Sequence, residues 1–213
     1  MATVGADREW QRILQRSIDA LTVPGVLIGH RLISPGDELA LLPEELNAFA
    51  TSIDKVRRAS GAARIVARRL MAQLGQPQQA VPKAASGAPI WPLGIVGSLA
   101  HNSQVAVAAI AKRDDFPSLG IDVESAEPLD ADLLNLVATA TELKRIADDP
   151  LRGRLLFAVK EAVYKSVYPL DGVFLEHHDV EVNLNGGTAA VRTGRVIRFR
   201  YSLSNQIVVL AFI

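Results

Sequence analysis

The same run of elements occurs twice along this chain. "VLIGHRLISPGDELALLPEEL" (26–46) leads into a helical pattern, a loop and "SLAHNSQVAVAAIA" (98–111). "GIDVESAEPLDADLLNLVATATEL" (120–143) leads into another helical pattern, strand-like runs and "SLSNQIVVLAFI" (202–213). Gln104 and Gln206 stand at matching places, each followed by a continuous apolar run. A chain of 213 residues can bury a full core as one large domain or two small ones. The repeated order therefore points to an α+β fold, a pseudo-dimer of two similar α+β halves. Residues 1–115 form the N-terminal half and 116–213 the C-terminal half, together one functional domain, and the cleft between halves is the natural place for a site.

The individual elements fit that plan. Leu46, Phe49, Ile53, Val56, Val66, Leu70 and Leu74 form a helical stripe behind Pro43-Glu44-Glu45, which predicts a helix over 43–74 with a break near Ser60-Gly61. A loop rich in Pro, Gln and Ala follows over 75–92. Residues 104–111 and 119–124 read as strands joined by "KRDDFPS", and 131–168 as a second helical region. The tail reads as an antiparallel meander with Asn185-Gly186-Gly187 at a turn.

Composition excludes several classes. The 23 basic and 23 acidic residues cancel, so no whole-molecule attraction to nucleic acid or acidic membrane is indicated. The absence of cysteine rules out disulfides, thiolate catalysis and cysteine-ligated zinc, and suits a reducing cytoplasm. The start of the chain lacks the apolar core of a signal peptide. "LTVPGVLIGHRLI" (21–33) is too short and too interrupted to cross a bilayer. A cytoplasmic monomer without a membrane span is expected.

Four groups of side chains could carry chemistry. Strand alternation puts Asp122 and Glu124 on one face while Ile121 and Val123 point into the core, and two carboxylates so close repel unless a cation relieves them. In "FAVKEAVYK" (157–165), Leu156, Val159, Val163 and Val167 make the buried stripe. Glu161 and Lys165 share the opposite face, where an exposed pair would contribute only about 0.3–0.5 kcal/mol. If that face meets Asp122 and Glu124, three carboxylates suit Mg²⁺ beside substrate phosphates, with Lys160 and Lys165 to neutralise phosphate oxygens. Arg57, Arg64 and Arg68 recur on one helical stripe, which is either a solvated surface or a phosphate site. His101, in "GSLAHN", is expected in a loop just before a strand, between that stripe and the carboxylates.

"GIDVE", the gap of 32 residues before "FAVKEAVYK", and the upstream "GSLAH" resemble the 4′-phosphopantetheinyl transferases. The likeness is to the group activating siderophore, surfactin-type and polyketide synthases, in particular the short enterobactin-synthase-component-D type. It extends from Leu41 through "PIWPLGIVGSLAHN" and "KEAVYKSVYPL". The resemblance implies the fold of that superfamily and a Mg²⁺-dependent transfer (Mn²⁺ as an alternative) of phosphopantetheine from coenzyme A. The acceptor would be a serine of an apo carrier protein (peptidyl, aryl or acyl), in siderophore or secondary-metabolite biosynthesis. Asp122, Glu124 and Glu161 would hold the metal, with Asp122, Glu161 and Lys165 as the catalytic set. Lys160 and Lys165 would contact phosphate, and His101 and Arg64, more weakly Arg57 and Arg68, would contact the 3′-phosphate side of coenzyme A.

Two positions depart from the family pattern. Ala100 stands where the family has Ser or Thr beside the histidine. Ser86 stands where a lysine often precedes the glycine of the loop before Pro89, with Lys83 three residues earlier. Two other functions use some of the same residues. A Mg²⁺-dependent phosphoanhydride hydrolase would use the carboxylates with water as nucleophile. A nucleic-acid-binding module would use the arginine stripe alone.

Overall fold

The computed structural model describes residues 2–146 and 149–213. In chain order the elements are α1 (Ala2–Asp19), β1 (Val26–Leu32), α2 (Pro43–Leu46), α3 (Asp54–Gln73), β2 (Ile95–His101), β3 (Val105–Lys112), β4 (Leu119–Ser125), α4 (Ala131–Val137), α5 (Ala140–Ile146), α6 (Pro150–Asp171), β5 (Val180–Asn183), β6 (Thr188–Val191), β7 (Val196–Leu203) and β8 (Gln206–Phe212). Among the described residues no helix is long and apolar enough to cross a membrane.

Two antiparallel sheets result, one in the order β1-β3-β2 and one in the order β4-β8-β7-β6-β5. β3 and β8 lie between partners in their sheets and are covered on both faces, which is why both read as continuous apolar runs rather than alternating ones. Val105, Val107, Ala109 and Ala111 face a shared core with Ile121, Val123, Val208 and Leu210 of the second sheet. The other faces of β3 and β8 meet α3 and α6 respectively: Ala108 and Ile110 pack with Val66 and Leu70, and Ile207 and Val209 with Val159 and Val163. The order is thus helix, sheet, sheet, helix. Leu14 and Ile18 of α1, with Leu21 just beyond it, join the core between the sheets.

The two halves repeat each other. β1, α3 and the β2–β3 hairpin correspond to β4, α6 and the β7–β8 hairpin, with strand order β1-β3-β2 matched by β4-β8-β7. A buried glutamate is repeated as well. Glu45 accepts from the backbone N–H of Leu42 at 2.8 Å and of Val81 at 2.7 Å. Glu142 accepts from those of Thr139 at 2.8 Å and Val182 at 2.7 Å. Each thereby ties the start of a short helix to a distant extended segment.

The helix expected over 43–74 differs in detail. It divides at 47–53, where a 3₁₀ turn and extended Ile53 intervene, and α3 runs unbroken through Gly61. Gly61 marks a close approach instead of a break: a Cβ there would stand 2.0 Å from the Asp37 carbonyl oxygen. The region 131–168 forms three helices, because Asp149 caps Leu151 N–H and Pro150 occupies the first turn of α6. His101 ends strand β2 and does not lie in a loop.

The tightest contact joins α6 to β4. A Cβ on Gly120 would fall 1.8 Å from the Ala162 carbonyl oxygen, a backbone atom that cannot step aside. Gly120→Ala should therefore lose about 3 kcal/mol or more, the upper range for overpacking, measured as a lowered urea midpoint with unchanged slope. A variant as stable as the parent would mean that α6 can lift from the sheet without cost.

Candidate active site

The approach of α6 to β4 sets the site. Asp122 lies two residues beyond Gly120 on the same strand face, so it too looks toward α6 while Ile121 and Val123 enter the core between the sheets. Lys165 Nζ reaches Asp122 Oδ1 at 2.6 Å. Glu124, one pleat further, takes Arg154 Nη1 at 3.1 Å. Glu161 lies one turn before Lys165, but its carboxylate faces a different group: His177 Nε2 is 3.3 Å from Oε1, without a hydrogen bond between them. Each of these three carboxylates faces a cation or an imidazole from another part of the chain.

The charges are strongly coupled. Burial pushes the Asp122 carboxyl above its usual range, Lys165 opposes this, and Glu161 adds to it. Glu124 is also raised, by burial and then by Asp122, against Arg154. Glu161 is lowered, first by contact with His177, with burial opposing and Lys165 assisting. The three carboxylates therefore share one electrostatic neighbourhood. Among the described residues no three His, Cys, Asp or Glu side chains are arranged as a ready metal cage. The chemistry of the donor set nevertheless fits a hard divalent cation. Asp122 Oδ2 is buried without any hydrogen-bond partner, while Lys165 engages only the other oxygen.

A cleft leads away from this cluster. A cavity of about 610 Å³ is lined by Lys165, Tyr164, Tyr168, Trp91, Arg113 and the 86–91 loop. It shares Lys83, Gly87, Pro89 and Leu99 with a smaller cavity of about 150 Å³ that holds Arg64, Phe49 and His101. Arg64 donates Nε to Val81 O at 2.9 Å and Nη1 to Ser60 O at 3.2 Å, and its guanidinium carbon lies 4.9 Å from the Phe49 ring centroid. Lys83 Nζ lies 5.7 Å from the same centroid. His101 remains exposed by surface area, yet crowding by protein atoms lowers its pKa, and Lys165, Arg64 and Lys83 lower it further. Three cations thus act on one imidazole at the end of the cleft, a setting that suits an anion. On the far side of Tyr164 a third cavity, about 460 Å³, includes Glu161, His177 and the exposed Phe174.

Asp122, Glu124, Glu161 and Lys165 are thus neighbours, and Arg64 and His101 line the smaller cavity, which shares wall residues with the larger one. Three other residues proposed from the sequence do not reach it. Lys160 is about 1% exposed, and its ammonium donates to Val137 O at 2.8 Å, Glu142 Oε2 at 2.7 Å and His177 O at 2.9 Å. All three hydrogens are used, so none is left for phosphate. Arg68 is buried against Glu45, with Nη1 3.0 Å from Oε1, and donates Nη2 to Ala40 O. Arg57 pairs with Asp54 of its own helix and lines neither cavity. The arginine stripe is therefore not a basic surface, because two of its members are internal, and the reading as a nucleic-acid-binding helix loses its footing.

Lys83 is the functional candidate that the sequence reading treated only as a departure. Its signal was its distance from the glycine, which appeared too long. The short bridge between Lys83 and Pro89 folds "KAASGAP" back on itself and brings that lysine over Phe49.

Because burial raises the Asp122 pKa above 3.8, its ionised form is penalised in the folded state at neutral pH. The penalty is absent below the unfolded value and complete above the folded one. Asp122→Asn should raise the thermal midpoint at pH 7 in the absence of divalent ions, and the gain should shrink as pH falls toward 4. Calorimetry at both pH values decides this, and a lower midpoint at pH 7 would contradict it.

Comparison with known proteins agrees with this geometry. Residues 43–111 match the 4′-phosphopantetheinyl transferase N-terminal domain, and residues 118–210 match the 4′-phosphopantetheinyl transferase superfamily. The chain is 36% identical over 163 residues to the 4′-phosphopantetheinyl transferase Npt of Nocardia iowensis, covering 75% of this chain and 73% of that protein. It is 36% identical over 168 residues to Svp of Streptomyces mobaraensis, covering 75% and 68%. It is 34% identical over 188 residues to PptT of Mycobacterium tuberculosis, covering 86% and 82%. Both are likewise 4′-phosphopantetheinyl transferases. With both family matches lying on the two halves that frame the cleft, the chain belongs to the 4′-phosphopantetheinyl transferase superfamily.

Proposed function

We propose that this transferase carries phosphopantetheine from coenzyme A to a serine of an apo carrier protein, peptidyl, aryl or acyl. The serine hydroxyl attacks the β-phosphorus, the bond to the leaving phosphate oxygen breaks, and adenosine 3′,5′-bisphosphate departs. The observation that carries this reading is that Lys165, hydrogen-bonded to Asp122, lines a cavity whose wall residues Lys83, Gly87, Pro89 and Leu99 also line the smaller cavity of Arg64 and His101.

Asp122, Glu124 and Glu161 would hold Mg²⁺, or Mn²⁺, which when bound neutralises pyrophosphate oxygens. Lys165 remains beside Asp122 and offers its ammonium to the oxygen on which charge grows. Such a donor stabilises the transition state more than the ground state. Arg64, His101 and Lys83 receive the 3′-phosphate side, where a guanidinium suits a doubly charged group. Lys83 takes the role left open by Ser86. The serine proton goes to Glu161 or to a water beside it. The protein acts as a cytoplasmic monomer, with the division between its halves at residues 115 and 116. Intact mass of candidate apo carriers after incubation with the protein, coenzyme A and Mg²⁺ tests the reaction. A gain of one phosphopantetheine is expected. Release of phosphopantetheine without carrier modification would mean hydrolysis instead.

Two substitutions probe the two ends. Lys165→Ala should lower kcat by about 10²–10³, the scale for losing one electrostatic donor, with a smaller change in a directly measured coenzyme A Kd. Near-normal turnover would leave Lys165 with no role beyond pairing Asp122. Arg64→Ala should weaken coenzyme A more than 3′-dephospho-coenzyme A, and equal losses for the two ligands would remove Arg64 from the phosphate site.

A further inference from the structure

The duplicated buried glutamate has a second consequence. Glu45 and Glu142 are both essentially inaccessible, and both are saturated by two backbone N–H donors. Each also neutralises a cation from the long helix of its own half. Glu45 Oε1 lies 3.0 Å from Arg68 Nη1 and 3.6 Å from Arg64 Nε. Glu142 Oε2 lies 2.7 Å from Lys160 Nζ. What each cation does next differs. Arg68 takes most of Glu45, so Arg64 stays next to the glutamate while its guanidinium lines the small cavity with His101. Lys160 spends its remaining hydrogens on Val137 O and His177 O, which pins the turn carrying His177. The imidazole of that turn faces Glu161 Oε1, and its ring also leans on Phe157 with centroids 5.6 Å apart.

We propose that Glu45 and Glu142 are the paired positioning residues of the cleft, Glu45 through Arg64 for the coenzyme A end and Glu142 through Lys160 and His177 for the transfer end. The assignment of ends rests on the function proposed above. Buried ion pairs add little net stability over neutral replacements of similar volume, so a repeated one is explained by what it holds in place. Neither glutamate touches substrate in this scheme. Their effects divide between ligand affinity and turnover, which a purely structural role would not do.

The test uses the full chain and two neutral pairs, Glu142→Gln with Lys160→Met and Glu45→Gln with Arg68→Met. Thermal midpoint, coenzyme A Kd by calorimetry and kcat at saturating coenzyme A are measured for each. The Glu142 pair should lose about 10-fold or more in kcat, the scale for residues that orient a functional group, with Kd little changed. The Glu45 pair should weaken coenzyme A by a similar factor and spare both 3′-dephospho-coenzyme A binding and kcat. Equal losses in both quantities, or none, overturn the proposal. If the Glu142 pair does not fold, His177→Ala decides the transfer-end arm, because this half-buried turn residue is not a member of the buried core. It should reproduce the kcat loss, and His177→Gln, which keeps a nitrogen toward Glu161, should recover most of it. Full turnover in His177→Ala overturns the transfer-end arm. Parent protein assayed in parallel separates these outcomes from failure of the functional reading, since a parent that modifies no carrier would fail before any variant is compared.

Discussion

The backbone contact between Gly120 and Ala162 is the constraint on which the rest of the site depends. It brings a 22-residue helix against the start of β4 at a distance that no side chain could share. Once α6 lies there, the pleat of β4 leaves Asp122 and Glu124 no direction but toward the helix. Lys165 and Arg154 arrive on the matching face. A carboxylate buried this way is unfavourable unless paired. One Asp122 oxygen is paired with Lys165 and the other is not. In the function proposed above, that unpaired oxygen is the one a bound cation would satisfy.

Duplication supplied the frame, and divergence decided the chemistry. Gly29 faces α3 as Gly120 faces α6, though it meets the side chains of Val66 and Leu70 and not backbone, and two residues further on stands Arg31 in one half and Asp122 in the other. Arg31 is held bidentately by Asp37, so that position is filled by a satisfied ion pair. Of these two positions only the C-terminal one carries a carboxylate with an unpaired oxygen. The N-terminal half contributes cations instead, and the cleft joins the two.

The strongly patterned parts of the chain were readable before any coordinates. Val105–Lys112 and Leu119–Ser125 were recognisable from apolar runs, and the tail meander from alternation and its Asn-Gly-Gly turn. Strand and helix periods assigned Asp122 and Glu124 to one face and Glu161 and Lys165 to another, while the roles proposed for them came from the resemblance. Lys160 was misread because it sits beside Glu161 in sequence, while a helix turns adjacent residues about 100° apart. Arg68 failed for a related reason: a periodic stripe shows which residues share a face, but not whether that face is solvated. Here a buried glutamate from α2 covers it.

By itself the sequence determined the duplicated α+β plan, the elements with clear hydrophobic period, and the pair of spaced motifs that mark the superfamily. These depend on local spacing, which the chain carries in one dimension. Only the tertiary structure decided which polar side chains are spent inside and which remain for a ligand. Lys160 and Arg68 are consumed by Glu142 and Glu45, which lie 18 and 23 residues away in sequence. Lys83 is brought over Phe49 by a folded loop. Lys165, spaced to pair with Glu161, takes Asp122 instead, while Glu161 faces the His177 ring. The physical reason is that an ion pair forms with whichever counter-charge packing brings within reach in a desolvated place. A nearer neighbour in sequence wins only where water leaves the choice open.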